Sequence, residues 1–396
     1  MFCWDPTGAH SVCGSQIYKH NTDGFMVVLT LIAFVVSLVT GVWIIRAGCV
    51  HAYIYRHDMP QRFHSGAVPR VGSVALAMGL LSAWLVAACV DPDVFALNVN
   101  LRPYVVLAWI VALLPTVAGG LIEDLTQRLS ARYRMALSLV GGVVAVVWLG
   151  LAVQRLGVPG LDIWWAMVPH AGTLLALLAI AGLPHAFNLI DGYNGLAGFV
   201  AMLVCMALAH VALQVGDRQL AAMIMCVVGA TGGFLVWNYP RGLFFAGDGG
   251  AYLWGGVIAT ASITLVQRHE EVSPWFPMLL LIYPVWETIF SIYRKLARGV
   301  SPGVADALHF HQLIYRRIVR EVFHDDEARR MLMRNNRTSP YLWGFTLLTV
   351  IPAVLFWRNT LVLMCFCLLF VCTYVPAYLM IVRFKVPRWI RRGSGH

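Results

Sequence analysis

Long apolar runs constrain this chain more than any other feature of its sequence. About eleven stretches are close to the ~20 residues that an α-helix needs to cross a bilayer. Only 12% of the 396 residues are charged and 59% are hydrophobic, whereas soluble domains carry about twice that charged fraction. The expected fold is therefore all-α, a polytopic membrane protein. The predicted spans are 24–48, 70–90, 104–122, 136–154, 170–188, 195–215, 219–238, 248–266, 274–293, 340–356 and 359–382.

The loops between these spans alternate in character. Every second loop is basic and carries a compact polar motif, whereas the intervening loops are short and carry nothing comparable. Because cytoplasmic loops are enriched in Lys and Arg, the motif side, which holds most of the 29 basic residues, is predicted to be cytoplasmic. The N-terminal tail, residues 1–23, is then outside and the C-terminus inside. We expect one membrane domain, 1–396, with a long cytoplasmic loop over 294–339.

The net charge of +10 follows from this asymmetry and indicates attraction to anionic lipid. Nucleic acid is not an expected partner, since no soluble domain combines clustered basic and aromatic residues. Of the nine cysteines, only Cys3 and Cys13 lie outside the membrane together. A disulfide between them is left open, and no cysteine spacing resembles a zinc site.

The segment 187–198, FNLIDGYNGLAG, is the most specific motif. Asn188, Asp191 and Asn194 are spaced by three, which makes them neighbours on a helical face if the segment is helical. The interleaved glycines would let the backbone approach a ligand closely. An Asp beside two amides at the end of an apolar span is costly unless it meets water, a cation or a partner. The alternative is a turn in which Asp191 is the N-cap of the next helix.

A second motif, FLVWNYPRGLFFAGDGG, covers 234–250. Asp248 stands among glycines at the start of an apolar span, where a carboxylate can bind Mg²⁺ and leave backbone amides for phosphate oxygens. A simple helix N-cap is the alternative. Asn238, two residues before Pro240, fits a binding role and ordinary turn chemistry equally well.

Two acidic features accompany these motifs. Glu123 and Asp124 close the third span, and adjacent acids point in different directions from a helix, so both need not reach one site. The alternative is a solvated ion pair between Asp124 and Arg128, which would contribute little. Glu287 lies inside the ninth apolar run, where it either lines an active cavity or pairs with an arginine.

The remaining motif residues are basic. His309 and His311 are two apart, which places them on one face of an extended segment and on different faces of a helix. They fit phosphate binding or, as the alternative, ordinary interfacial histidines; zinc would need a third ligand. Arg62, His64 and Arg70 form an anion-facing loop or merely supply cytoplasmic positive charge.

Beyond the histidines, residues 312–323 place their apolar side chains on one helical face, which predicts an interfacial amphipathic helix. Residues 324–340, HDDEARRMLMRNNRTSP, are expected to be a solvated polar stretch.

Together these motifs resemble those of the polyprenyl-phosphate N-acetylhexosamine-1-phosphate transferases, glycosyltransferase family 4. The resemblance runs from about residue 58 to 317, in the family's order. Glu123 departs from the family's usual Asp, Gly250 stands where many members have Ser, and His-x-His replaces a triple histidine. The last departure favours O-antigen or related surface-glycan initiation over peptidoglycan synthesis. The matching positions are Arg62, His64, Pro69, Arg70 and Gly72; Glu123 and Asp124; Asn188 to Ala197; Asn238 to Asp248; and Asp306, His309 and His311.

The resemblance implies an enzyme of the bacterial inner membrane whose site faces the cytoplasm. It would transfer a sugar 1-phosphate from a UDP-N-acetylhexosamine to undecaprenyl phosphate, release UMP and require Mg²⁺, with Mn²⁺ as the alternative ion. The donor sugar is left open, and so is a homodimer. The implied roles are metal or diphosphate binding by Asp248 and Asn188; catalysis by Asp124, Asp191 and Glu123; and substrate binding by Asn194, Asn238, His309, His311, Arg62, His64 and Arg70.

The main rival class is a secondary transporter of an anionic solute. A transporter places its ionisable residues near the bilayer midplane on broken helices, often within inverted repeats. Here the polar motifs lie at span ends on one side, and no internal repeat is evident.

Overall fold

The computed structural model describes residues 10–47, 68–89, 101–299, 301, 308–319, 322 and 324–383, with side chains from residue 24 onward. The predictions for Arg62, His64, Asp306, Cys3 and the Cys13 side chain lie outside the described part. All regular structure within it is helical. The α-helices are α1 His10–Ala47, α2 Gly72–Cys89, α3 Pro103–Thr126, α4 Ala131–Leu149, α5 Leu161–Met167, α6 Ala171–Ile190, α7 Leu196–Gln214, α8 Arg218–Asn238, α9 Gly247–Arg268, α10 Trp275–Leu280, α11 Ile282–Ala297, α12 Phe310–Leu313, α13 Glu327–Leu355 and α14 Thr360–Val382.

Ten of the described helices are long and apolar enough to cross a membrane. The predicted all-α, polytopic membrane fold is confirmed. The predicted span 274–293 is instead divided into the short helices α10 and α11, which meet at Leu281. Pro284 accounts for the break, because proline lacks an N–H and its ring clashes with the carbonyl four residues earlier, that of Leu280.

Helix α9 occupies the centre of the bundle and packs against α2, α3, α6, α7 and α8. Its glycines permit this central position. Gly249 faces Gly120 of α3, and Gly255 faces Pro184 of α6, so closely that a Cβ on either Gly120 or Gly255 would collide with the neighbouring backbone. Because the backbones touch at these crossings, the first turn of α9 is held directly against the last turns of α3.

The described residues between 312 and 323 do not form the predicted interfacial amphipathic helix. Helix α12 is followed by a single π-helical stretch, Ile314–Ile318. Leu313, Ile314 and Tyr315 are buried within the protein rather than facing the membrane surface. The apolar residues of this segment therefore pack inside the protein instead of forming a membrane-binding face.

The prediction of a solvated polar stretch over 324–340 is confirmed for residues 325–330, which are exposed, but the stretch is helical from Glu327 and partly buried after residue 330. Helix α13 begins at Glu327, and the Asp326 side chain caps it by accepting the N–H of Ala328 at 2.9 Å. The long loop predicted over 294–339 is therefore helical at both ends, since α11 continues to Ala297. The polar first half of α13 buries Asn335, Thr338 and Ser339.

Candidate active site

Two backbone segments are paired at one end of the bundle and position Arg70. The N–H of Phe245 donates to the carbonyl of Pro69 at 2.8 Å, and the N–H of Gly72 donates to the carbonyl of Phe245 at 2.9 Å. Gly247 follows with a φ of 72°, a backbone conformation that favours glycine. A side chain at Gly247 would also collide with the Arg70 carbonyl and the Asp124 carboxylate.

Asp124 binds the N-terminus of α9. Its Oδ1 accepts the N–H of Asp248 and its Oδ2 accepts the N–H of Gly249, both at 2.9 Å. The carboxylate therefore satisfies two helix N–H groups that lack an intrahelical partner, and it faces the positive end of the helix dipole. The alternatives for both acids are thereby excluded: Ala246, not Asp248, is the N-cap, and Asp124 forms no ion pair with Arg128 within the described residues.

Asp248 forms an ion pair with Arg134, at the start of α4. The two side chains are 22% and 21% exposed, so solvent reaches the pair. The Nε of Arg134 is buried and has no hydrogen-bond partner in the described part of the chain. In the sequence, Arg134 is one of many basic residues on the motif side, and its spacing carries no signal of a site.

Three further polar residues that the sequence did not single out lie around this ion pair. His185 of α6 has its Nε2 at 3.2 Å from the Oγ of Ser138. Its ring meets the ring of Tyr252 edge to face, with centroids 4.8 Å apart. Asn188 is half-buried one turn further along α6. An ionisable residue inside an apolar span was the signal that could have identified His185.

Glu123 contacts the turn between α3 and α4, whereas its neighbour Asp124 contacts α9. Its Oε2 accepts the N–H of Leu129 at 2.7 Å and so fixes the turn between α3 and α4. A catalytic role for Glu123 stays a prediction.

Asp191 lies in a turn between α6 and α7, so Asn188, Asp191 and Asn194 do not share one helical face. Gly195, not Asp191, is the N-cap of α7. Burial raises the pKa of Asp191 to about 7, and the positive charge of Arg70 opposes this rise. Arg70 and Asp191 both lie within electrostatic reach of Asp124. The structure thus brings these three predicted residues to one end of the bundle.

Asn238 connects the two glycine-rich motifs. Its Oδ1 accepts the N–H of Gly195 at 2.6 Å, and its Nδ2 donates to the carbonyl of Phe244 at 2.9 Å. Both ends of the side-chain amide are therefore bonded to backbone, and the residue is buried. Direct substrate contact by Asn238 stays a prediction, whereas its contacts give it a structural role.

Asn194 is attached to α13 by three hydrogen bonds. Its backbone N–H donates to Asn335 at 2.8 Å, its side-chain Nδ2 donates to Asn336 at 2.9 Å, and its carbonyl accepts from Ser339 at 2.6 Å. The polar half of α13, which the sequence predicted to be solvated, therefore supports the turn that carries Asp191.

His311 packs against the same turn. Its Nε2 is 3.0 Å from where a Cβ on Gly192 would lie, and its ring meets that of Tyr193 with centroids 5.7 Å apart. Burial lowers the pKa of His311 to about 3, with a smaller contribution from His309, so the imidazole is neutral. Its Nδ1 has no hydrogen-bond partner among the described residues.

Glu287 is fully buried, and among the described residues its ion-pair partner is His309 rather than an arginine. Its Oε1 accepts from Nδ1 of His309 at 3.1 Å and from the N–H of Phe310 at 3.2 Å. The hydroxyl of Tyr374 donates to its other oxygen. The His309 and His311 rings are stacked, 5.5 Å apart and nearly parallel.

An apolar groove of about 590 Å³ lies between α6, α9, α10 and α11. It extends along α6 from Leu175 to Ala186, two residues before Asn188, which is about 17 Å of helix. Two of its polar lining residues are bonded elsewhere: Arg155 donates to four backbone carbonyls between residues 266 and 272, and Gln267 bonds the backbone of Gly150 and Ala152. The groove therefore presents an almost entirely apolar surface.

The fold and the site define an integral membrane protein in which acidic and basic side chains meet at one end of the helices, beside an apolar groove. The sequence profile of glycosyl transferase family 4 matches residues 106–266, a range that begins in α3, ends in α9 and contains Glu123, Asp124, Asp191 and Asp248. This chain belongs to glycosyl transferase family 4.

Curated relatives of this chain include transferases of two kinds. It is 27% identical over 296 residues to a probable undecaprenyl-phosphate N-acetylglucosaminyl 1-phosphate transferase of Bacillus subtilis, an alignment that covers 71% of this chain and 76% of the relative. It is 33% identical over 226 residues to a phospho-N-acetylmuramoyl-pentapeptide-transferase of Moorella thermoacetica, covering 55% and 68%. A Thermotoga maritima undecaprenyl-phosphate alpha-N-acetylglucosaminyl 1-phosphate transferase is 27% identical, covering 65% and 72%.

Proposed function

We propose that this protein transfers a sugar 1-phosphate from a UDP-N-acetylhexosamine to undecaprenyl phosphate and releases UMP. The observation that carries the proposal is the combination of the charged cluster of Asp124, Arg134 and Asp248 at one end of the bundle with an apolar groove that reaches Ala186 of α6, two residues before Asn188. This arrangement suits a reaction between a water-soluble anionic donor and a lipid acceptor. The names of the relatives support the same substrates.

The donor diphosphate would bind at the N-terminus of α9. Arg134 supplies a cation whose Nε has no hydrogen-bond partner among the residues that the structure describes, and guanidinium groups bind phosphate oxygens in a fixed geometry. Asp124 would act by keeping Asp248 and the first turn of α9 in place. Arg70 supplies a second cation near Asp124 and Asp191.

The residues present also fit Mg²⁺. No three His, Cys, Asp or Glu side chains converge on one point among the described residues, but Mg²⁺ is commonly held by one or two carboxylates together with substrate phosphates and water. Asp248 offers a partly exposed carboxylate whose present partner is the cation Arg134, and Asn188 offers an amide oxygen. We propose that these two residues hold Mg²⁺, which would neutralise charge on the diphosphate when bound.

The lipid acceptor would occupy the apolar groove. Burial of its hydrocarbon chain between α6 and α11 needs no polar partner, which agrees with the almost entirely apolar lining. The groove ends beside Ala186 and Ile289, close in sequence to Asn188 and Glu287. The lipid phosphate would therefore emerge near the polar cluster.

The chemistry is a phosphoryl transfer in which the protein mainly positions the reactants and neutralises charge. An oxygen of the lipid phosphate attacks the sugar-linked phosphorus, a new P–O–P bond forms, and the bond to UMP breaks. A phosphate monoester has its second pKa near 6, so the attacking group is largely a dianion at neutral pH. A strong general base is therefore not required of Asp191 or Asp124.

The positive charge around the polar loops supports a site on the cytoplasmic face of the bacterial inner membrane. We propose a surface glycan, such as an O-antigen, as the destination of the product, because a single His-x-His motif stands where a triple histidine would favour peptidoglycan. A panel of UDP-sugars offered to the purified protein would identify the donor.

The test is release of UMP by purified protein in lipid nanodiscs given a UDP-N-acetylhexosamine, undecaprenyl phosphate and Mg²⁺. The proposal expects UMP and a lipid-linked sugar in equal amounts. Uptake of a solute without UMP release would support the transporter alternative. Absence of both, with donors of each hexosamine class and with folded protein, would contradict the proposal.

A further inference from the structure

Helix α11 holds the His-x-His segment at two points. Arg294 donates to the carbonyl of Leu308 at 2.6 Å, and Glu287 accepts the N–H of Phe310 at 3.2 Å. Glu287 and Arg294 are seven residues apart, so they lie on one face of α11, two turns from each other. Both are buried. One helix thus fixes the backbone on either side of His309.

Glu287 also determines the state of the His309 ring. An ionised carboxylate can only accept hydrogen bonds, so the contact at 3.1 Å requires a proton on Nδ1 of His309. The Tyr374 hydroxyl donates to the same carboxylate and keeps it oriented. A neutral acceptor would suffice for the Phe310 N–H and would be less costly to bury. The contact with the His309 imidazole therefore explains why a carboxylate, rather than a neutral acceptor, occupies this position.

The histidine rings extend this arrangement to the turn of Asp191. His309 stacks against His311 with an interplanar angle of 7°, and His311 packs against Gly192. A rotation of His309 would remove the surface on which His311 rests. The unpartnered Nδ1 of His311 would then no longer be held in its present direction.

We infer that Glu287 is a positioning residue of the proposed transfer reaction. It fixes the tautomer and orientation of His309 and, through the stacked rings, holds His311 against the turn that carries Asp191. The kinetic part of this inference rests on the proposed function, whereas its structural part does not.

The structural part is tested by ¹⁵N NMR of protein labelled at histidine and reconstituted in lipid. The His309 signal is identified by its loss in His309→Gln. Wild-type protein should show a protonated Nδ1, and Glu287→Gln should shift His309 towards protonation at Nε2. Glu270→Gln, an exposed residue at the opposite end of the bundle, is the matched control and should change nothing. An unchanged His309 signal in Glu287→Gln would overturn the inference.

The kinetic part is tested by a double-mutant cycle in the UMP-release assay. Removal of a group that orients a functional histidine costs about 10- to 100-fold, so Glu287→Gln should lower kcat by about that factor and leave KM for the donor within about threefold. In a His309→Gln background, Glu287→Gln should add less than about threefold, since it acts through that ring. Independent, multiplicative losses would overturn the inference.

A second variant keeps the inference testable if Glu287→Gln does not fold. Tyr374→Phe removes one donor to the carboxylate and preserves the ring. It should lower kcat by about three- to tenfold and broaden or shift the His309 signal in the same direction. A normal His309 signal in a folded Tyr374→Phe protein would overturn the inference. Wild-type protein without transfer activity would contradict only the proposed function, because the NMR result stands by itself.

Discussion

Asp124→Asn is the substitution for which the structure gives the most definite expectation. Both Asp124 oxygens accept backbone N–H groups of α9, from Asp248 and Gly249. Asparagine has the same shape but only one acceptor, so its NH₂ group would face one of these N–H groups. The first turn of α9 would lose a hydrogen bond, gain a donor–donor contact and lose a compensating negative charge.

The expected cost follows from these contacts. A hydrogen bond to a charged group contributes about 1.5–3 kcal/mol, and an unsatisfied buried donor costs about 1–3 kcal/mol. Because the turn can relax partly, we expect Asp124→Asn to lower the local stability that holds Asp248 in place by about 2–4 kcal/mol. At about 1.4 kcal/mol per tenfold, kcat/KM should fall roughly 30- to 900-fold, together with a lower melting temperature.

The assay is UMP release by purified protein, with thermal unfolding measured on the same samples. Glu123→Gln is the matched control. Its one hydrogen bond, to the N–H of Leu129, can be accepted by a glutamine oxygen, so its activity should stay within about fivefold of wild type. Asp124→Asn within about threefold of wild type would refute the argument from the α9 contacts. A collapse of activity in Glu123→Gln would instead show that the prediction of a catalytic Glu123 was right.

Three other predictions follow from the same region. Asp248→Asn should abolish turnover in a folded protein and remove the Mg²⁺ dependence of thermal stability, and near-normal activity would exclude its metal role. Asn335→Ala and Ser339→Ala each remove a bond to Asn194 and should each cost about 1–3 kcal/mol of stability, measured by unfolding; no change would show that α13 does not support this turn. Burial raises the pKa of Asp191 from 3.8 to about 7, so the folded state binds this proton more tightly than the unfolded state, and stability should fall as pH rises from about 4 to 7. Asp191→Asn should weaken this pH dependence in ligand-free thermal melts. An identical pH dependence in both proteins would contradict the prediction.

The membrane fold was predictable because bilayer thickness fixes the length of an apolar run. Hydropathy could not show which apolar runs are broken or which polar residues are buried. The run 274–293 is apolar enough for a span, yet the helix is interrupted at Leu281, and Pro284 accounts for the break. Residues 327–340 read as solvated because charged side chains predominate there, but Asn335 and Ser339 bind the backbone of Asn194 from the helix interior.

The acids of the site were predictable because an acid at the end of an apolar span is costly unless it has a functional or structural partner. The separate contacts of each acid were not predictable. Asp124 and Asp248 are separated by 124 positions, and only the glycine contacts of α3 with α9 bring them into hydrogen-bond distance. Arg134 could not be distinguished from other basic residues by sequence, since its role depends on the packing of α4 against α3 and α6, which both contact α9.

The arrangement of α9 also argues against transport. A transporter needs a site that can be reached from both membrane faces. Gly255 lies seven residues beyond Asp248 in α9. It packs against the backbone of Pro184 and closes the space between α6 and α9 at that point. At the far end of the groove, Arg155 ties the end of α9 to the following loop through four carbonyls. A hydrophilic path would have to break both contacts, whereas a lipid acceptor can enter sideways from the bilayer and leave them intact.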